Sequence, residues 1–146
     1  MAARNFALTI ARNKPELEGG NNCPIVVEGL KDEKTLRILG FTGTIEKINR
    51  GWNQSRLVAY LHKQYSSNAP SDSGPKIILL MDWDRTGGKI QKFFRDQLMS
   101  LDIPIDEDLR NVLIKTMKPE GKTVESIRPY AEILIPLINE NILQIN

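Results

Sequence analysis

The chain has 146 residues, 40% of them hydrophobic and 26% charged, with a formal net charge of +2. That length suits one domain with a sizeable core and leaves little room for two. A single cysteine (Cys23) and a single histidine (His62) exclude a disulfide framework and argue against zinc or a thiol nucleophile, and no apolar run approaches a membrane span.

In chain order, residues 3–13 carry Phe6, Ala7, Ile10 and Ala11 at helical spacing, which predicts a short helix covering an edge of a sheet; the first few residues could equally form a frayed arm. Pro15, Gly19, Gly20, Asn21 and Asn22 break it. Pro24-Ile25-Val26-Val27 then reads as a buried strand, ending on Glu28 and Gly29. Lys31 to Leu39 reads as a helix with Leu36 and Leu39 inward, and Asp32 and Glu33 in its first turn suit the helix dipole. Thr44 to Ile48 is a shorter, less apolar strand, expected nearer an edge, and Gln54 to Tyr65 is an amphipathic helix. After a polar loop over 66–75, Ile77-Ile78-Leu79-Leu80-Met81 predicts a strand buried on both faces. Gly87 to Leu101 is the strongest helical stripe, built on Ile90, Phe93, Phe94, Leu98 and Leu101. Ile103 and Ile105 allow a short fourth strand, and residues 106–117 a further helix. A turn over 118–122 leads to a last helical region from Thr123, whose regularity Pro129 and Pro136 are expected to limit.

Alternation of strand and helix argues for α/β architecture with about four parallel strands flanked by helices. The organisation expected is an N-terminal helix and linker over 1–23, the domain proper over 24–128, and a helical extension of it over 129–146. Right-handed crossovers bring all strand C-termini to one edge, where ligands bind in open α/β sheets. Glu28, Asp82 and Asp84 then share that edge. Asp82 and Asp84 lie about 6–7 Å apart along the chain and repel each other. A hard divalent cation such as Mg²⁺, with Mn²⁺ as a substitute, would relieve the conflict and suit phosphodiester chemistry. The competing reading is structural, with Asp84 or Thr86 simply capping the next helix. Lys31, Arg85, Lys89 and Arg50 are candidates for phosphate contact. Asp32 is a candidate outer-shell acid.

Val26-Val27-Glu28-Gly29-x-x-Asp32 resembles the glutamate motif of the Toprim family, and Asp82-x-Asp84-x-x-Gly87 resembles that family's second motif. The resemblance spans residues 24 to about 128 and is greatest to small stand-alone archaeal Toprim proteins. It implies a compact Rossmann-like Toprim sheet, Mg²⁺ held by Asp82 and Asp84, and Glu28 as general acid/base or further metal ligand. Gly29, Asp32 and Gly87 would support that site, and Lys31, Arg85 and Lys89 would meet substrate. The activity implied is hydrolysis or phosphotransfer on RNA or DNA, with a protein partner to complete the site as an option; the lone cysteine and the lack of a signal or membrane-spanning run lead us to expect a cytoplasmic protein away from membranes. A non-catalytic Toprim module binding nucleic acid or protein is the alternative, and an enzyme acting on a small phosphate compound a third.

Overall fold

The computed structural model describes residues 1–117 and 121–145. Four strands, β1 (Ile25–Val27), β2 (Ile45–Lys47), β3 (Ile77–Leu79) and β4 (Ile105–Asp106), form one parallel sheet in the order β2-β1-β3-β4. Six α-helices accompany them among the described residues: α1 (Ala2–Asn13), α2 (Leu30–Leu39), α3 (Gln54–Tyr65), α4 (Arg85–Ser100), α5 (Asp108–Thr116) and α6 (Ala131–Ile145). The expected α/β class holds, and the least apolar of the expected strands lies at an edge.

Period-two alternation explains the unbroken apolar runs. Ile25, Val27, Ile78 and Leu80 face one core with α1, α2, α5 and α6, while Val26, Ile77, Leu79 and Met81 face the other with α3 and α4. Both faces of the central strands are therefore dry, and no polar residue is tolerated within them. The chain leaves β1 for β2 on one side and returns past it to β3 on the other. The boundary between β1 and β3 is thus a topological switch point, where an open α/β sheet leaves a crevice at its carboxyl edge.

Two expectations at the chain ends need correction. α1 is neither frayed nor confined to an edge: Phe6, Ala7 and Ile10 are buried in the first core, and Asn13 ties its end to the carbonyls of Cys23 and Thr44. Ala131 and Ile138 of α6 lie in that same core. Pro136 does not end α6, which runs through it, whereas Pro129 does fall in a shorter 3₁₀ segment over Glu125–Tyr130. Residues 118–120 of the expected 118–122 turn lie outside the described residues.

Candidate functional site

Glu28 follows β1 directly, and Asp82 comes three residues after β3, so neighbouring strands place both at the switch-point crevice. They meet through backbone: the Asp82 N–H donates to Glu28 Oε2 at 2.8 Å. Asp82 Oδ1 accepts from the Val124 N–H at 2.8 Å. Asp84 Oδ1 accepts from the Gly87 N–H at 2.7 Å and is the N-cap of α4. The capping reading of Asp84 is therefore correct as far as one of its two oxygens goes. α4 begins at Arg85, two residues earlier than the apolar stripe suggests, because the stripe marks the buried face and the cap marks the start.

Each of the three carboxylates is half-buried and is held by one backbone N–H. Among the described residues none of them forms an ion pair with Lys, Arg or His. Burial pushes the Asp82 carboxyl up to about 7; the negative charges of Glu28, Asp32 and Asp84 add to this, and the Val124 hydrogen bond opposes it. Asp32 is buried and accepts from the Gly29 N–H at 3.0 Å, closing the first turn of α2. Burial raises its carboxyl too, against the pull of that Gly29 bond, with the charge of Glu125 adding to the rise.

The sheet gives out before the site is reached, so the backbone beyond β3 takes its partners from side chains. Gln91 of α4 accepts from the Met81 N–H at 3.2 Å and donates to Glu107 at 2.8 Å. Arg110 of α5, itself buried, donates from Nε to Met81 O and from Nη2 to Asp82 O, both at 3.0 Å. Burial lowers the Arg110 pKa, and the charges of Glu107, Asp82 and Glu28 counteract that. Trp83 closes the third side, donating from its indole N–H to Gly121 O at 2.9 Å and from its backbone N–H to Lys122 O at 2.7 Å. Sequence reasoning missed Arg110, Gln91 and the 121–124 segment. The visible signal was weak: a polar residue on the buried side of an otherwise apolar helical stripe.

The supporting glycines differ. A Cβ on Gly87 would sit 2.0 Å from Asp82 O, so the close approach of α4 to the strand end requires glycine. A Cβ on Gly29 would meet only Asn49 Nδ2 at 3.5 Å, so Gly29 serves through its N–H rather than its missing side chain.

The basic candidates separate. Lys31 projects into solvent and reaches Glu125 at 4.0 Å. Arg85 and Lys89 are exposed on the first turns of α4, beside Asp84. Arg50 is taken up elsewhere: it pairs with buried Glu46 at 2.9 Å, donates to Lys47 O and lies 5.2 Å from the ring centroids of Trp52 and Tyr60. It is neither a free phosphate ligand nor a solvated surface charge.

No three His, Cys, Asp or Glu side chains among the described residues stand together as a ready metal cage. Mg²⁺ does not require one: it commonly takes one or two carboxylates, keeps several waters and adds substrate phosphate. Oxygen donors without a cationic partner fit that preference.

Fold and site together define a small four-stranded parallel α/β domain with an acidic crevice at its switch point. No family model matches the chain. It is 30% identical over 112 residues to a UPF0292 protein of Methanosarcina acetivorans, covering 75% of this chain and 69% of that relative. A UPF0292 protein of Archaeoglobus fulgidus is 27% identical over 112 residues, covering 77% and 79%. The chain belongs to the UPF0292 family. A solved protein from Aquifex aeolicus shares the fold, with a TM-score of 0.61 at 23% identity over 84% of this chain and 95% of its own.

Proposed function

We propose that this protein is a Mg²⁺-dependent nucleic-acid-processing enzyme of the Toprim type that hydrolyses or transfers phosphodiesters at the Glu28/Asp82/Asp84 edge. One observation carries the reading: three carboxylates stand at the carboxyl edge of the sheet beside the β1/β3 switch point, each with a backbone N–H partner and, among the described residues, no basic counter-ion. A purely structural carboxylate finds a cation or several donors; these leave oxygens available.

Asp82 and Asp84 are the residues to hold Mg²⁺, with Glu28 as a further ligand or as the acid/base. When bound, Mg²⁺ supplies charge neutralisation at the phosphate and acidifies its water. The chain's own part is positional. Val124 and Gly87 fix the two aspartates, Arg110 and Gln91 fix the strand end that bears Asp82, and the Asp82 N–H orients Glu28. A carboxyl near neutrality such as that of Asp82 exchanges its proton close to working pH, which suits proton transfer or metal-coupled proton release.

The second reading is a non-catalytic module that binds nucleic acid or a partner protein. Its supporting observation is that Asp84 already serves as a helix cap and the carboxylates form no closed cage. The test is incubation of end-labelled single- and double-stranded RNA and DNA with Mg²⁺ or Mn²⁺, beside Glu28→Gln and Asp82→Asn. Metal-dependent cleavage lost in both variants supports the enzyme. Metal-dependent binding without cleavage, abolished by Asp82→Asn, transfers the conclusion to the binding module.

A further inference from the structure

Arg85 and Lys89 flank the acidic edge beside Asp84, but a polyanionic substrate that runs past that edge needs further cations. They lie next door. A groove of about 410 Å³ runs between α2 and the 3₁₀ segment Glu125–Tyr130, lined by Lys31, Lys34, Thr35, Glu125, Arg128 and Pro129. Both walls spring from the segments that hold the carboxylates. α2 begins two residues after Glu28, and the opposite wall begins one residue after Val124, whose N–H binds Asp82. Three cations face one acid there. Lys31 is shared with Glu125 at 4.0 Å, a distance and exposure that make the pair weak. Lys34 and Arg128 are exposed, and neither forms an ion pair among the described residues. Beneath, buried Asp32 accepts from the Gly29 N–H at the start of α2 and buried Thr35 donates to Lys31 O, so those groups are already satisfied and the rim carries the binding charge.

We propose that this groove seats the backbone phosphates of a single polynucleotide strand, those flanking the phosphate presented to Glu28, Asp82 and Asp84; this rests on the reading of that edge as a phosphodiester site. A strand is favoured over a small phosphate compound because groove and crevice are adjoining stations, and one ligand must span both to profit from both. It is favoured over a duplex because the charge is gathered in one groove between two helical walls, and the chain as a whole carries only +2. Glu125 acts as the counterweight that holds Lys31 until a phosphate replaces it.

The test is fluorescence anisotropy of labelled single-stranded and duplex RNA and DNA in EDTA, across a range of KCl, with the full chain. Lys34→Gln and Arg128→Gln are each expected to weaken single-strand binding about 5-fold or more, and to lower the salt slope by about 0.7 per lost phosphate contact. Lys63→Gln, on the distant helix α3, should bind as wild type. Glu125→Gln should bind more tightly, a gain that misfolding cannot mimic. The inference is overturned if wild type binds no single strand, if the groove variants bind as wild type, if Lys63→Gln loses as much, or if duplex is preferred and unaffected by the groove variants. The two proposals fail separately. Cleavage dependent on Glu28 and Asp82 with unaltered binding by groove variants removes only the groove; groove-dependent binding with no metal-dependent cleavage removes only the enzyme.

Discussion

Two carboxylates, one on the edge strand β2 and one just beyond β3, are treated in opposite ways. Glu46 of β2 is 7% exposed and accepts from Arg50 Nη2 at 2.9 Å, from the Tyr60 hydroxyl at 2.8 Å and from the Tyr65 hydroxyl. Burial raises its pKa, but those donors outweigh burial and hold it below the usual carboxylate range, while Tyr65 is driven well above its ordinary value by burial and by Glu46. Asp82 has one N–H donor, three acidic neighbours and a pKa near 7. Different partners make one group a fastener and leave the other a candidate for chemistry.

The largest expected effect tests the proposed catalytic side. Glu28→Gln and Asp82→Asn should each lower metal-dependent cleavage by about 100-fold or more, the scale of a lost acid/base or metal ligand. Retained folding, read by circular dichroism, separates that from collapse. The same substitution at the fastener should do the reverse: Glu46→Gln should destabilise by about 2–3 kcal/mol in urea unfolding, because Arg50 and two tyrosines lose an ionised acceptor. Asp82→Asn in metal-free protein at pH 8 should not destabilise, and a loss comparable to that of Glu46→Gln would erase the distinction.

Titration sharpens the contrast. Asp82 is raised, so its stabilising contribution is complete below its unfolded pKa of about 3.9 and disappears as pH rises through about 7. Glu46 is lowered, so its contribution is present above about 4.3 and disappears as pH falls through its lower folded value. Metal-free protein should therefore lose melting temperature from about pH 4 to about pH 7, and millimolar Mg²⁺ should remove that loss; a flat profile with no Mg²⁺ response would sink the account of Asp82. A smaller effect is expected at Gly87→Ala. Its Cβ would collide with Asp82 O, costing about 1–3 kcal/mol and displacing the proposed catalytic side while leaving Glu46 untouched. The differential appears as lost cleavage with an unchanged NMR signal of the Trp52 indole N–H, whose ring lies 5.5 Å by centroid from Tyr60.

How legible each region was follows from the range of its interactions. The Asp82 edge could be read because its parts are local: an apolar run ends, a carboxylate follows, and a cap residue precedes a glycine. The Glu46 cluster could not. Its acceptor lies in an unremarkable Ile-Glu-Lys strand, and its donors stand 4, 14 and 19 residues away, brought together only when α3 packs on β2. Arg110 was hidden for the same reason, because its partners are backbone carbonyls 28 and 29 residues distant.

By itself the sequence determined the class of fold, the strands at its centre, the helical faces that cover them and the edge on which Glu28, Asp82 and Asp84 gather. Period, apolar run length and capping chemistry are properties of a few consecutive residues, and they survive being read without coordinates. The tertiary structure alone decided which side chains complete the backbone beyond β3, that Arg50 belongs to Glu46, that α1 and α6 belong to the core, and that a basic groove adjoins the acidic crevice. Those outcomes depend on which surfaces meet, and free energy gained by burying apolar faces, not local propensity, chooses the meeting.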